Sequence, residues 1–127
     1  MKKQMINYDD LIGYRYGPDQ ARRLIRLSKL KLVKEGYALH NNKRVGLVPY
    51  HVVCTIINSK LTELVNYSDL RRILYPKSQA RKIVSEAKEI LVERGYYFYN
   101  NRRVALVPTH IVAEIIGVPL AREENQA

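Results

Sequence analysis

The chain is written twice. Residues 8–57 align without a gap on residues 67–116 at a constant offset of 59, and 23 of those 50 positions are identical. The matched landmarks run from Tyr8/Tyr67 and Asp10/Asp69 through Gln20-Ala21-Arg22/Gln79-Ala80-Arg81 and Gly36-Tyr37/Gly95-Tyr96. They continue to Asn41-Asn42/Asn100-Asn101, Val48-Pro49/Val107-Pro108 and His51/His110. Whatever one copy folds into, the other must also fold into, so the chain is bounded to two small modules. The expected layout is a first module over residues 1–58, a linker over 59–66, a second module over 67–119 and a flexible tail over 120–127. Two copies are too few for a solenoid. They suit a two-headed binder, in which linkage raises the effective concentration of the second head.

Overlaying the copies sharpens the local pattern. A short first helix is expected from Tyr8 and Tyr67, with Asn7 and Asn66 as N-caps. Proline and glycine in Tyr16-Gly17-Pro18-Asp19 mark a turn, as does Tyr75-Pro76-Lys77-Ser78, with Asp19 and Ser78 expected to cap the next helix. That second helix is expected over Gln20–Glu35 and Gln79–Arg94. Its apolar or small stripe is Ala21, Leu24, Ile25, Ser28 and Leu32, matched by Ala80, Ile83, Val84, Ala87 and Leu91. Gly36 and Gly95 stand where helices stop in left-handed backbone. The segments GYALHNNKRVGLVP and GYYFYNNRRVALVP then read as β-hairpins with tips at Asn41-Asn42 and Asn100-Asn101, since Asn tolerates the positive φ of tight turns. A third helix follows Pro49 and Pro108, with Val52, Val53, Ile56 and Ile57 as its apolar face, and it ends at Asn58 and Gly117. The expected fold class is mainly α with small β-hairpins (α+β). In order, helix, turn, helix, hairpin and helix make two tandem winged helix-turn-helix modules.

Charge narrows the function. The 127 residues hold 22 Lys and Arg against 12 Asp and Glu, a net charge of +10. A basic excess of this kind points to a polyanion, most often nucleic acid. The surplus is uneven: residues 1–66 carry 12 basic and 5 acidic side chains, and residues 67–127 carry 10 and 7. No apolar run approaches the ~18 residues of a membrane span. The opening MKKQMINYDD has no apolar stretch behind its lysines, so no secretory leader is expected. Cys54 is the single cysteine, which excludes an internal disulfide and fits a reducing, cytoplasmic setting. His40, His51 and His110 show no metal-ligand spacing, so no metal or other cofactor is expected.

The candidate DNA contacts follow from where the charge falls. On the second helix of copy one, Arg22, Arg26 and Lys29 share a face, with Arg23 beside them. The same face of copy two carries Arg81, Ser85 and Lys88, with Lys82 adjacent. Gln20 and Gln79, with Lys77 and Ser78 before the latter, stand at the helix start, where recognition helices reach base edges. Arg can fork onto guanine and Gln can pair with adenine, whereas Lys and Arg on phosphates add affinity without sequence information. The tips add Asn41, Asn42, Lys43 and Arg44, matched by Asn100, Asn101, Arg102 and Arg103, suited to phosphate backbone or a minor groove. The competing reading is a solvated basic face, and repetition at equivalent sites in both copies favours DNA. Copy two also places Glu86, Glu89 and Glu93 along this helix, where copy one has Leu27, Leu30 and Lys34, so copy two is the candidate for discrimination or a protein contact. The remaining residues read as structural. Cys54 is a small core residue, His51 and His110 are capping or structural, and most of the ten tyrosines pack the core. At least one of Tyr97, Phe98 and Tyr99 should be exposed.

The string R-V-x-L-V-P leading into an apolar helix resembles the wing-to-helix passage of excisionase-type winged helices. Ser78-Gln79-Ala80-Arg81 together with GYYFYNNRRVALVP resembles a family of small proteins, long called a domain of unknown function, encoded beside tyrosine integrases on Gram-positive integrative elements. The resemblance spans nearly all of 67–117 and, more loosely, 8–58. It implies a sequence-specific double-stranded DNA binder of a mobile element, acting as an excisionase or recombination directionality factor that assists a tyrosine integrase. A transcriptional regulator of the element and a protein-interaction adaptor are the alternatives. No phosphate-binding glycine loop, paired-carboxylate motif or nucleophile–base constellation is present, so no enzyme and no small-molecule substrate are expected.

Overall fold

The computed structural model describes residues 4–73 and 76–117. Tyr75, the lysines of the opening MKK and the tail expected over 120–127 lie outside the described residues. The chain divides between Leu61 and Thr62 into two units.

In the first unit the elements are β1 (Met5–Ile6), α1 (Tyr8–Gly13), α2 (Pro18–Lys34), a 3-10 turn (Ala38–Asn41), β2 (Val48–Pro49) and α3 (Tyr50–Ile57). The second unit repeats them as β3 (Leu64–Val65), α4 (Tyr67–Arg72), α5 (Lys77–Glu93), a 3-10 turn (Tyr97–Tyr99), β4 (Val107–Pro108) and α6 (Thr109–Ile116). The fold is mainly helical, with one small antiparallel strand pair in each unit.

Local chemistry explains the helix ends. Asn7 accepts from the Asp10 N–H at 3.0 Å while the Asp10 carboxylate accepts from the Asn7 N–H at 2.9 Å, a capping box that closes both ends of the first turn. Asn66 and Asp69 repeat it, both bonds at 3.0 Å. The second helices begin two residues earlier than expected. Gly17 and Pro76 occupy the N-cap positions without a side-chain bond, so Asp19 and Ser78 are not the caps. Pro18 opens α2 because its missing N–H falls where a helix has no partner for it. At the other end Gly36 (φ 100°) and Gly95 (φ 98°) turn left-handed. Tyr37 N–H then bonds to Leu32 O and Gly36 N–H to Val33 O, and Tyr96 and Gly95 do the same to Leu91 and Val92. These paired bonds satisfy carbonyls that the helix leaves open. Asn58 (φ 59°) and Gly117 (φ 86°) end α3 and α6 as the sequence suggests.

Each unit closes around its long helix. Ala21, Leu24, Ser28 and Leu32 are buried along α2, which packs on α1, α3 and the 3-10 turn. Ala80, Ile83, Ala87 and Leu91 do the same along α5. Burying a leucine or isoleucine contributes about 1.5–3 kcal/mol, so these stripes orient the opposite, charged face outward.

The expected hairpins are corrected. Ile6 pairs with Val48 and Met5 with Pro49, while Val65 pairs with Val107 and Leu64 with Pro108. The strands thus join the segment before each unit's first helix to the segment before its last. Asn41-Asn42 and Asn100-Asn101 are not hairpin tips. Asn42 Oδ1 accepts the Arg44 N–H at 2.9 Å, and the Val45 N–H bonds to Asn42 O at 3.1 Å. Asn101 does the same with Arg103 and Val104. The Asn side chain makes the turn itself, which removes the need for positive φ. The segment expected as a linker is also folded. Leu61 is buried in the first unit and its N–H donates to the Tyr50 hydroxyl at 3.2 Å, whereas Leu64 and Val65 form β3 of the second.

Candidate nucleic-acid interface

The α2 face carries Arg22 and Arg26 exposed, with Arg23 and Lys29 half-buried. The Arg22 guanidinium lies over the Tyr8 ring, 5.4 Å from its centroid, and Asp19 is 3.8 Å away. Arg81 repeats this over Tyr67 at 5.2 Å. A guanidinium seated on a ring face is held in place by the ring's negative quadrupole while its edge stays available. Sequence reasoning assigned these tyrosines to packing alone. The signal was there: a Tyr and an Arg fourteen residues apart in both copies. Burial, and then the neighbouring Arg26, lower the pKa of Arg23.

Lys29 Nζ donates to the Asn42 carbonyl at 2.8 Å, and Lys88 Nζ to that of Asn101 at 2.7 Å. Both were expected to face DNA. Each ties the long helix to the loop that follows it, and partial burial lowers the pKa of Lys88. The loop cations Lys43, Arg44, Arg102 and Arg103 are exposed, as are Asn41, Asn42 and Asn100, while Asn101 is half-buried. Lys77, Ser78, Gln79, Arg81, Lys82 and Ser85 are exposed on α5. Gln20 departs from its partner: it is buried, and its Oε1 has no hydrogen-bond partner, so the expected base-edge contact is not presented in the first unit.

In the first unit α2 and the loop enclose an open groove of about 790 Å3, with Arg22, Arg26, Lys29 and Lys43 around aliphatic Ile25 and Val33. The corresponding groove of the second unit is about 470 Å3 and brings Glu89 and Glu93 beside Lys88 and Arg102. Only the first is uniformly cationic. In the second unit Tyr97 is 70% exposed, whereas Phe98 and Tyr99 are buried and meet edge to face at 5.3 Å. Cys54 is half-buried, and His51 and His110 are exposed. No helix among the described residues is long and apolar enough to cross a membrane.

Two helical units in tandem, each presenting a basic helix beside a pinned loop, define a small duplicated α+β protein. The chain belongs to the family described as Domain of unknown function (DUF3173), whose model matches twice, over residues 4–61 and 63–120. Comparison with curated proteins and with solved structures gives no match.

Proposed function

We propose that the chain is a sequence-specific double-stranded DNA-binding protein of a mobile element. In this reading each unit is a helix-turn-helix variant, with α2 or α5 as the recognition helix and the pinned Asn-Asn loop in the place of a wing. The carrying observation is the convergence of Arg22, Arg26 and Lys43 on one cationic groove in the first unit. Phosphate contacts there supply affinity, and exposed Arg22, Arg81 and Gln79 supply base reading. The role as an excisionase or recombination directionality factor beside a tyrosine integrase, in the cytoplasm and without catalysis, rests on resemblance, because fold does not fix function.

The test is a footprint on the ends of the element under a salt series. Two protected patches about 10 bp apart support both heads. The log–log salt slope should shrink by about 0.9 for each phosphate-contacting cation removed, Arg26→Ala and Lys43→Ala first. No preference over random duplex would overturn the reading. Excision measured with integrase, with and without the chain, separates the directionality role from transcriptional regulation. Glu89 and Glu93 in the second groove favour a second reading, a protein-interaction adaptor; its mark is a partner retained at high salt without DNA.

A further inference from the structure

Two arginines occupy the same seat. The Arg22 guanidinium lies over the Tyr8 ring at 5.4 Å from its centroid, and Arg81 lies over Tyr67 at 5.2 Å. Along the two long helices this is the one aligned position at which both copies carry a guanidinium, since Arg23 aligns with Lys82 and Arg26 with Ser85. The aligned Lys29 and Lys88 are committed to the Asn42 and Asn101 carbonyls. Asp19 stands 3.8 Å from Arg22, and Ser78 replaces it in the second unit, so the ring is what the two seats share. Tyr8 and Tyr67 each open their unit's first helix, whose first turn is closed by a capping box. The backbone of a capped helix therefore places each ring. The seat does not hide the cation: the Arg22 side chain is 68% exposed, and Arg81 is exposed as well.

A cation that only grips phosphate can act as a point charge and needs no fixed plane. The fork of an arginine onto guanine O6 and N7 is planar and needs two bonds at once. A ring beneath the guanidinium sets its position before contact and reduces the ordering that contact requires. Arg22 and Arg81 are also each the fifth residue of their helix, near the end from which recognition helices touch base edges. We propose that Tyr8 and Tyr67 are positioning residues that present Arg22 and Arg81 to guanine, so that the duplex target carries a G·C pair at the same place in each half-site. The inference rests on the duplex reading and deepens it, by naming the base and by making it common to both half-sites. The tyrosines act through the arginines and do not themselves touch the base.

The test is selection by the full chain from duplexes randomised across the protected patches, with base preference compared at matched occupancy. The parent should favour guanine at one equivalent position in each patch. Arg81→Gln should erase that preference in one patch only. Tyr67→Leu should lower it in that same patch by about threefold or more, the scale of a cation–π seat, and leave the other patch as in the parent. Tyr8→Leu should do the reverse, and Tyr67→Phe, which keeps a ring, should rescue the preference. A merely structural role would lower occupancy without changing which base is preferred. Should Tyr67→Leu not fold, difluorophenylalanine in place of Tyr67 weakens the ring face at nearly constant size and should give part of the same loss. Without DNA, the δ protons of Arg22 and Arg81 should resonate upfield of an unseated arginine and return in the Leu variants. The proposal is overturned if the guanine preference ignores the Tyr variants, if another base is preferred at the Arg81-dependent position, or if the upfield shift is absent. Each of these outcomes leaves the duplex reading standing. A parent with no base preference at all sinks that reading, and the role of the seat with it, even where the upfield shift is present.

Discussion

Lys88 Nζ donates to the carbonyl oxygen of Asn101 at 2.7 Å, across 13 residues of sequence. The bond fastens the loop to α5 through the backbone, so it does not depend on which side chains the loop carries. Lys88→Met keeps the aliphatic stem and deletes the donor. Unfolding in urea should show a loss of roughly 1 kcal/mol, and amide exchange at Arg103 and Val104 should accelerate. An unchanged exchange rate would show that the loop holds itself.

Ser28 sits fully buried on α2, and its hydroxyl has no hydrogen-bond partner. The second unit has Ala87 at the equivalent position, also fully buried. Ser28→Ala should therefore stabilise the first unit by about 1 kcal/mol, read as a higher urea midpoint with an unchanged slope.

The capping boxes give a matched pair of tests. Asn7→Ala and Asn66→Ala should each destabilise their own unit by about 1 kcal/mol, and Asn→Ser or Asn→Asp should recover most of the loss. A similar loss in the Ser variants would point to the strand that precedes the cap, rather than to the cap itself.

Arg94 and Glu114 form a two-bond pair between α6 and the end of α5, at 2.6 and 3.1 Å. The bond to Arg94 holds the Glu114 carboxyl below its ordinary value of 4.5. A carboxyl with a depressed folded pKa contributes stability that is fully present above the ordinary range and is lost as pH falls through the folded value. Glu114→Gln should flatten that acid limb and leave the stability at neutral pH nearly unchanged, because the pair is half exposed and screened by solvent. The first unit has Glu35 and Thr55 at these positions and should show no such limb.

The helices were legible because their signals are local. Asn before the first helix, Pro before α3 and α6, Gly after a 3.6-residue stripe and Asn or Gly after α3 and α6 act within one or two turns of chain. The strand pairs were not legible. Ile6 finds Val48 across an entire helical hairpin, and a two-residue strand has no periodicity to detect. The Asn-Asn segment misled for a different reason: the residue that tolerates positive φ can also form the turn with its own side chain. At the site, the cationic face could be read from spacing. The seats of Arg22 on Tyr8 and Lys29 on Asn42 required tertiary geometry.

The strand pair in each unit has a consequence for how such a chain arises. It draws the point where the backbone enters a unit to the start of that unit's last helix. Entry and exit are then separated by little more than eight helical residues, roughly 12 Å. A body that receives and releases the polypeptide so close together can be copied head to tail by a simple genetic duplication, with no rewiring of either copy. One copy is then free to drift while its twin keeps the inherited task.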